Sequence, residues 1–330
     1  MSQYDLVGIG NALVDVLARI DDAFLAAQEL PKGAMILVEA DQSKQLYDQL
    51  GSAVEISGGS CGNTLAGFAS LGGRGAYIGK VRNDQLGDIF RHDLRAMKVD
   101  FHTPSAADGP PTGRCLVMVS PDAQRTMCTY LGAANELTPD DVDPAVVQAG
   151  AVTYMEGYLF DRPAAKRAFF HAATQAHQAG RKVSLTLSDS FCVDRHRDEF
   201  LELIEHHIDI LFANEAEITS LYQVDGFDQA MQKVRDHCEV ACLTRSEKGS
   251  IIMSGDEIHV IDAEPVQRVV DTTGAGDLYA SGFLYGYTQG ADLATCGRIA
   301  SICAAEIISH YGARPETGLK DLIAAAGVSV

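Results

Sequence analysis

Asp277 closes the run Asp271-Thr272-Thr273-Gly274-Ala275-Gly276-Asp277, and Leu278-Tyr279-Ala280-Ser281-Gly282-Phe283 follows directly. A carboxylate therefore stands where a glycine-rich turn becomes a helix. The small residues let backbone amides approach an anion, and the helix start aims unpaired N–H groups and a positive dipole end at it. Asp277 sits beside that anion as a proton acceptor. The chemistry this arrangement implies is activation of a hydroxyl next to a bound phosphate.

Three other constellations bear on the same chemistry. In Gly58-Gly59-Ser60-Cys61-Gly62-Asn63, two glycines precede a polar helix start, and taken alone this is a tight turn with Ser60 as N-cap. Joined to Gly10-Asn11-Ala12-Leu13-Val14-Asp15, it offers a carboxylate, amide side chains and a bare glycine N–H, a set suited to vicinal hydroxyls. Asn214-Glu215-Ala216-Glu217 opens a helix; it reads either as a plain capping box or as a place where Glu217 holds water on Mg²⁺ beside phosphates. Thr244-Arg245-Ser246-Glu247-Lys248-Gly249 is a polar turn at a strand end, fit for nucleotide phosphates or ribose and equally common as an exposed loop. Other phosphate chemistries are disfavoured. The chain has no G-x-x-x-x-G-K-[ST] loop and no H-R-D with D-F-G, and Gly8-Ile9-Gly10 lacks a third glycine, Leu13 standing in its place.

The elements that must position these residues alternate in type. Apolar runs of strand length occupy 4–9, 75–79, 151–156, 182–187, 208–213 and 240–244, and amphipathic helical segments occupy 62–71, 84–97, 163–179, 193–206, 216–222 and 229–237. Alternation over this length implies a doubly wound, mostly parallel α/β sheet in a single domain spanning 1–330. Residues about 12–40 and 111–131 break the pattern and read as strands without an intervening helix of the right kind, the second pair being separated by the turn-like Pro121-Asp122-Ala123-Gln124. They are expected to form a small β-sheet lid over a ligand at the strand ends.

Composition narrows the partners. A formal charge of −19 and a pI near 4.8 oppose nucleic acid and anionic membrane as partners, both of which need a basic surface. No run of about 18 uncharged apolar residues occurs and the first residues lack a secretory pattern, so a cytoplasmic location is expected. The eight cysteines show no C-x-x-C spacing and read as reduced buried thiols, with no metal assigned to them.

In order along the chain, these segments resemble the PfkB (ribokinase-like) family of carbohydrate and nucleoside kinases, with the adenosine kinases nearest. The signature from Asp271 to Gly282 is highly specific, and the run from Gly58 through Lys80 and Asp84 is a good match. The resemblance implies ATP and Mg²⁺ as cofactors, with K⁺ as a further cation, and a small-molecule nucleoside or sugar as acceptor, in a monomer or homodimer. It further implies Asp277 as catalytic base, with the amides of Gly274, Ala275, Gly276 and Asp277 as an anion hole and Arg125 near the transferred phosphate. Asn11, Asp15, Gly59 and Asn63 match substrate-binding positions; Asn214, Thr244 and Gly249 match nucleotide-binding ones. Glu217 matches the water-mediated Mg²⁺ ligand, and backbone around Asp271 and Thr273 the monovalent-cation site. A purine acceptor needs apolar faces, for which Tyr158, Leu159, Phe160, Leu131 and Phe24 are candidates. Two departures stand out: Ala12 where adenosine kinases often carry proline, and Ser246 where many members carry glycine.

Overall fold

The computed structural model describes residues 2–122 and 124–330, so the turn expected over Pro121–Gln124 includes a residue, Ala123, outside the described ones. Nine strands form the larger sheet. In spatial order they are Glu257–Ile261, Ser250–Ser254, Val240–Thr244, Ile210–Asn214, Lys182–Thr186, Gly150–Glu156, Tyr4–Ile9, Gly75–Ile78 and Val99–Phe101. The seven from Val240–Thr244 to Val99–Phe101 are mutually parallel, and the other two add an antiparallel edge. The parallel strands read as continuous apolar runs because helices cover both faces. Pro163–Gln178 and Ser190–His207 pack on one face around Phe160, Phe169 and Phe200; Ser60–Ser70, Ala275–Thr288 and Leu293–Ile307 pack on the other around Phe68, Tyr154 and Phe283.

The order of strand addition creates the crevice. From Tyr4–Ile9 the chain first builds outward through Gly75–Ile78 and Val99–Phe101, then returns to the opposite side of Tyr4–Ile9 with Gly150–Glu156 and continues away. Connections after Tyr4–Ile9 and Gly150–Glu156 thus depart in different directions, and the carboxyl ends of these two strands frame an open cleft. Asn11 and Glu156 stand at those ends.

The second sheet has five strands, in the order Met35–Leu37, Arg125–Gly132, Thr112–Val119, Leu13–Arg19 and Ala53–Ser57. It departs from the sequence expectation in two respects. A helix, Asp22–Ala27, interrupts residues 12–40, capped by Asp21 Oδ1 accepting from Phe24 N–H at 2.8 Å. The strand Ala53–Ser57, beyond that range, supplies one edge. Alternation of period two explains the sheet's two faces. Val16, Leu116, Met118 and Cys128 point to Leu25 and Leu46 on the covering helices Asp22–Ala27 and Ala40–Gln49, whereas Asp15, Leu17, Val117, Arg125 and Met127 line the cleft.

Candidate active site

One continuous cleft is lined by Thr272 to Asp277 of the signature turn, by Asn11, Asp15, Gly59 and Asn63, by Arg125, and by Asn214, Glu217, Thr244 and Gly249; Asp271 lies behind this lining. Its centre is Asp277. Gly274 holds φ +80° as the N-cap of Ala275–Thr288, which places Asp277 in the first turn of that helix. Asp277 Oδ1 accepts from Ser60 Oγ at 2.6 Å and Oδ2 accepts from Asn63 Nδ2 at 2.9 Å. Burial pushes the Asp277 carboxyl above its ordinary value, while these two hydrogen bonds and the Arg314 guanidinium pull it back toward the ionised form.

The first glycine-rich turn is built differently from the sequence expectation. Gly59, at φ +80°, is the N-cap of Ser60–Ser70, and Ser60 is the first helical residue with its hydroxyl turned to Asp277. A side chain at residue 59 would meet the Asn11 carbonyl oxygen at 2.4 Å, so the turn fits only glycine. Ser57, just before it, is held by Arg314, whose Nε donates to the Ser57 carbonyl at 3.2 Å and which also donates to Gly62 O. Arg314 is also the cation that most opposes the effect of burial on Asp15, whose carboxyl is pushed up to about 6.

Arg125 reaches across from the second sheet. Its guanidinium is buried and pairs with Asp271 Oδ2 at 3.0 Å, with the Tyr311 ring 5.8 Å away. Asp271 is fully engaged. Its Oδ1 accepts from the Thr273 N–H at 3.1 Å and hydroxyl at 2.7 Å, and Oδ2 also accepts from Gly312 N–H at 3.1 Å. With Arg125 in this position, all the acceptor positions of the carboxylate are taken.

At Asn214 the capping-box reading holds. Asn214 Oδ1 accepts from Glu217 N–H at 2.9 Å and Glu217 Oε2 accepts from Asn214 N–H at 2.9 Å, a complete capping box. Glu217 nevertheless lines the cleft, and burial, with Asp189 nearby, pushes its carboxyl up to about 7. A divalent cation would relieve that strain. Among the described residues no group of three or more Asp, Glu, His or Cys side chains could hold a metal ion. Thr244 and Gly249 line the same cleft, Gly249 at φ +77°.

Of the apolar candidates, Tyr158 and Leu131 line the cleft. Leu159 and Phe160 do not: both are buried in the core, Phe160 stacking on Phe200 at 4.5 Å. Phe24 packs under the second sheet. The exposed apolar wall comes instead from Met35, Leu37 and Phe191, which are 42%, 52% and 66% exposed. Sequence reasoning missed Phe191, Arg314 and Glu156. The last two carry a faint signal, an arginine inside Gly312-Ala313-Arg314-Pro315 and a lone charge ending an apolar strand; Phe191 has none.

Comparison with known proteins agrees with this geometry. The pfkB family carbohydrate kinase model matches residues 33–318. The chain belongs to this family. It is 50% identical to the adenosine kinase of Sinorhizobium meliloti, with a TM-score of 0.91 over 98% of this chain and 100% of that one. To a probable sugar kinase of Rhizobium etli it is 49% identical, with a TM-score of 0.93 and full coverage of both chains. The yeast adenosine kinase is 26% identical over 93% of this chain and 95% of its own. As a pfkB member the protein is a phosphotransferase with an alcohol acceptor, of the nucleoside or sugar kinase class, and the family implies ATP, typically with Mg²⁺. No helix among the described residues is long and apolar enough to cross a membrane.

Proposed function

We propose that this pfkB kinase transfers the γ-phosphoryl group of ATP to the 5′-hydroxyl of a purine nucleoside, adenosine, giving AMP and ADP. One observation carries the choice of acceptor: the apolar wall of Met35, Leu37, Leu131, Tyr158 and Phe191 lines the same cleft as Asp15 and Asn63. A free sugar leaves such a wall wet, whereas a purine covers it. Covering about 100 Å² at roughly 25 cal/mol per Å² contributes about 2.5 kcal/mol to binding.

In this reading Asp277 takes the proton of the attacking hydroxyl. Ser60 and Asn63 hold its two oxygens, so the carboxylate is oriented before substrate arrives. The first-turn amides from Gly274 to Asp277 stabilise charge on the transferred group. Asp15 and Asn63 receive the sugar hydroxyls, with Asn11 and Gly59 shaping that end of the pocket. Arg125 moves from Asp271 to the phosphates as the second sheet, acting as a lid, closes and excludes water. Mg²⁺, when bound, neutralises phosphate charge, and Glu217 would hold it through water; Thr244, Gly249 and Asn214 lie along the nucleotide side.

The test is ADP release measured across nucleosides and free sugars. Adenosine should give the highest kcat/KM, by at least tenfold over ribose or fructose. A sugar phosphorylated as well as adenosine or better replaces the nucleoside reading with the sugar-kinase one.

A further inference from the structure

Glu156 ends the strand Gly150–Glu156 at the topological switch point and is 1% exposed. Its two oxygens are divided between two elements. Oε1 accepts from Asn11 Nδ2 at 2.8 Å, at the end of the neighbouring strand, and Oε2 accepts from Cys61 N–H at 2.9 Å, in the first turn of Ser60–Ser70. The packing is close enough that a side chain at Gly10 would meet Glu156 Oε2 at 2.4 Å. A carboxylate against a helix N-terminus is favourable electrostatically, and here the helix start has no side-chain cap of its own.

The same first turn carries Ser60 and Asn63, which supply both hydrogen bonds to Asp277. We propose that Glu156 is a positioning residue for phosphoryl transfer: ionised, it fixes the start of Ser60–Ser70 so that Ser60 and Asn63 hold Asp277 in its reactive orientation. The inference rests on the kinase reading above. Glu156 borders the cleft but is 1% exposed, its two oxygens are taken by Asn11 and Cys61, and in this proposal it acts through Cys61 N–H.

Protonation weakens this role, because a neutral carboxyl accepts through one oxygen and donates from the other, and so no longer serves two donors. Burial pushes the Glu156 carboxyl up to about 7, opposed by Cys61 N–H and Asn11 and assisted by the Asp277 charge. The other titratable groups around it are the thiols of Cys61 and Cys192 and the phenols of Tyr77, Tyr154 and Tyr158, all pushed upward by burial and neutral in this range. Asp277 is the neighbour that shares its charge.

Two variants separate charge from the hydrogen bond. Glu156→Met removes the acceptor at nearly equal volume and should lower kcat about 100-fold, the scale of a misplaced reactive group, with KM within about threefold. Glu156→Gln keeps one acceptor for Cys61 N–H and cannot titrate. The parent should show an acid limb in kcat centred at about 7. In Glu156→Gln that limb should move to lower pH, leaving the titrations of Asp277, the base itself, and of Asp15. Amide exchange read by NMR supplies a measure independent of turnover: Cys61 N–H should exchange at least about tenfold faster in Glu156→Met, with the helix Leu293–Ile307 unchanged. Kinetics use whichever acceptor the parent phosphorylates, so a sugar preference would overturn the adenosine reading alone. An acid limb that stays near 7 in Glu156→Gln, a Glu156→Met kcat within threefold of parent, or unaltered Cys61 exchange would each overturn the positioning role. A parent inert toward every acceptor would overturn the kinase reading, leaving the Cys61 exchange to judge the clamp.

Discussion

The turns Gly58–Ser60 and Asp271–Gly276 look alike in one dimension, each a glycine-rich link into a helix, yet their helix starts face different things. Gly59 and Gly274 both take φ +80° and neither helix has a side-chain cap. At the first turn Cys61 N–H ends on the buried carboxylate of Glu156, 95 residues away in sequence. At the second, Ala275 N–H returns to Thr272 O at 3.2 Å, and Gly276 and Asp277 line the open cleft. One helix dipole is neutralised by the protein itself; the other opens on the cleft, where our proposal places the anion of a ligand. The two turns meet at Asp277, which belongs to the second and is held by side chains of the first. What separates a structural turn from a candidate phosphate cradle is therefore a long-range partner, which no local motif reveals.

The largest expected effect lies where the turns meet. Asp277→Asn keeps the shape and removes the proton acceptor: its amide oxygen can still accept from Asn63 Nδ2 and its NH₂ can donate to the Ser60 hydroxyl, which turns to accept. We expect kcat to fall about 10²- to 10⁴-fold with acceptor KM changed far less, as measured by steady-state ADP release. A kcat near that of the parent would remove Asp277 from proton transfer and leave the second turn with anion binding only.

Exchanging each N-cap glycine for alanine asks whether the turns differ in kind. At Gly59 the new Cβ meets the Asn11 carbonyl oxygen at 2.4 Å, a backbone atom that cannot move alone. At Gly274 it meets Ala313 Cβ at 2.9 Å, a side-chain methyl and a longer approach. Gly274, at φ +80° and ψ 0°, is left-handed, which costs alanine about 1–2 kcal/mol; Gly59, at φ +80° and ψ 145°, lies outside that region in backbone that alanine adopts at greater cost. Gly59→Ala should therefore cost more stability, about 2–4 kcal/mol by denaturant unfolding, against about 1–2 for Gly274→Ala. Activity normalised to folded protein should fall in both, in Gly274→Ala because the amides assigned to the transferred group move and in Gly59→Ala because Ser60 and Asn63, which hold Asp277, move. Full activity of folded Gly59→Ala would mean that the first turn serves stability alone.

The sequence periodicity carried most of the α/β order, because a parallel sheet buried on both faces leaves apolar runs that are hard to mistake. It failed over residues 12–40, where the short helix Asp22–Ala27 has too few residues to show a period. The specific glycine–aspartate signature made Asp277 legible, and so were the caps at Asn214. Arg314 and Phe191 were not. Each acts on the site from a separate element, Arg314 through backbone carbonyls and Phe191 as part of a wall assembled from several chain segments, and neither relation leaves a spacing to read. The aromatic run Tyr158-Leu159-Phe160 shows the same limit from the other side: adjacent residues diverge, Tyr158 to the cleft and Phe160 to the core.

A third turn facing the cleft refines the contrast with the smallest effect. Ser246 holds φ +52° at the start of the short 3-10 turn Ser246–Lys248, a conformation that glycine adopts without penalty and that the family often fills with glycine. Its loop is closed by Arg245 N–H to Gly249 O at 2.8 Å and Gly249 N–H to Ser246 O at 3.1 Å, so the backbone and not the serine side chain sets the shape. Ser246→Gly should relieve about 1–2 kcal/mol of left-handed strain while adding about 0.5–1 kcal/mol of unfolded-chain entropy. The net expectation is a gain of roughly 0.5–1 kcal/mol in the urea midpoint analysis, with kcat within about twofold and the KM for ATP unchanged or lower. A loss of stability would show that serine makes an interaction worth more than the strain, and the loop would then join the first turn as one held by its own protein partners.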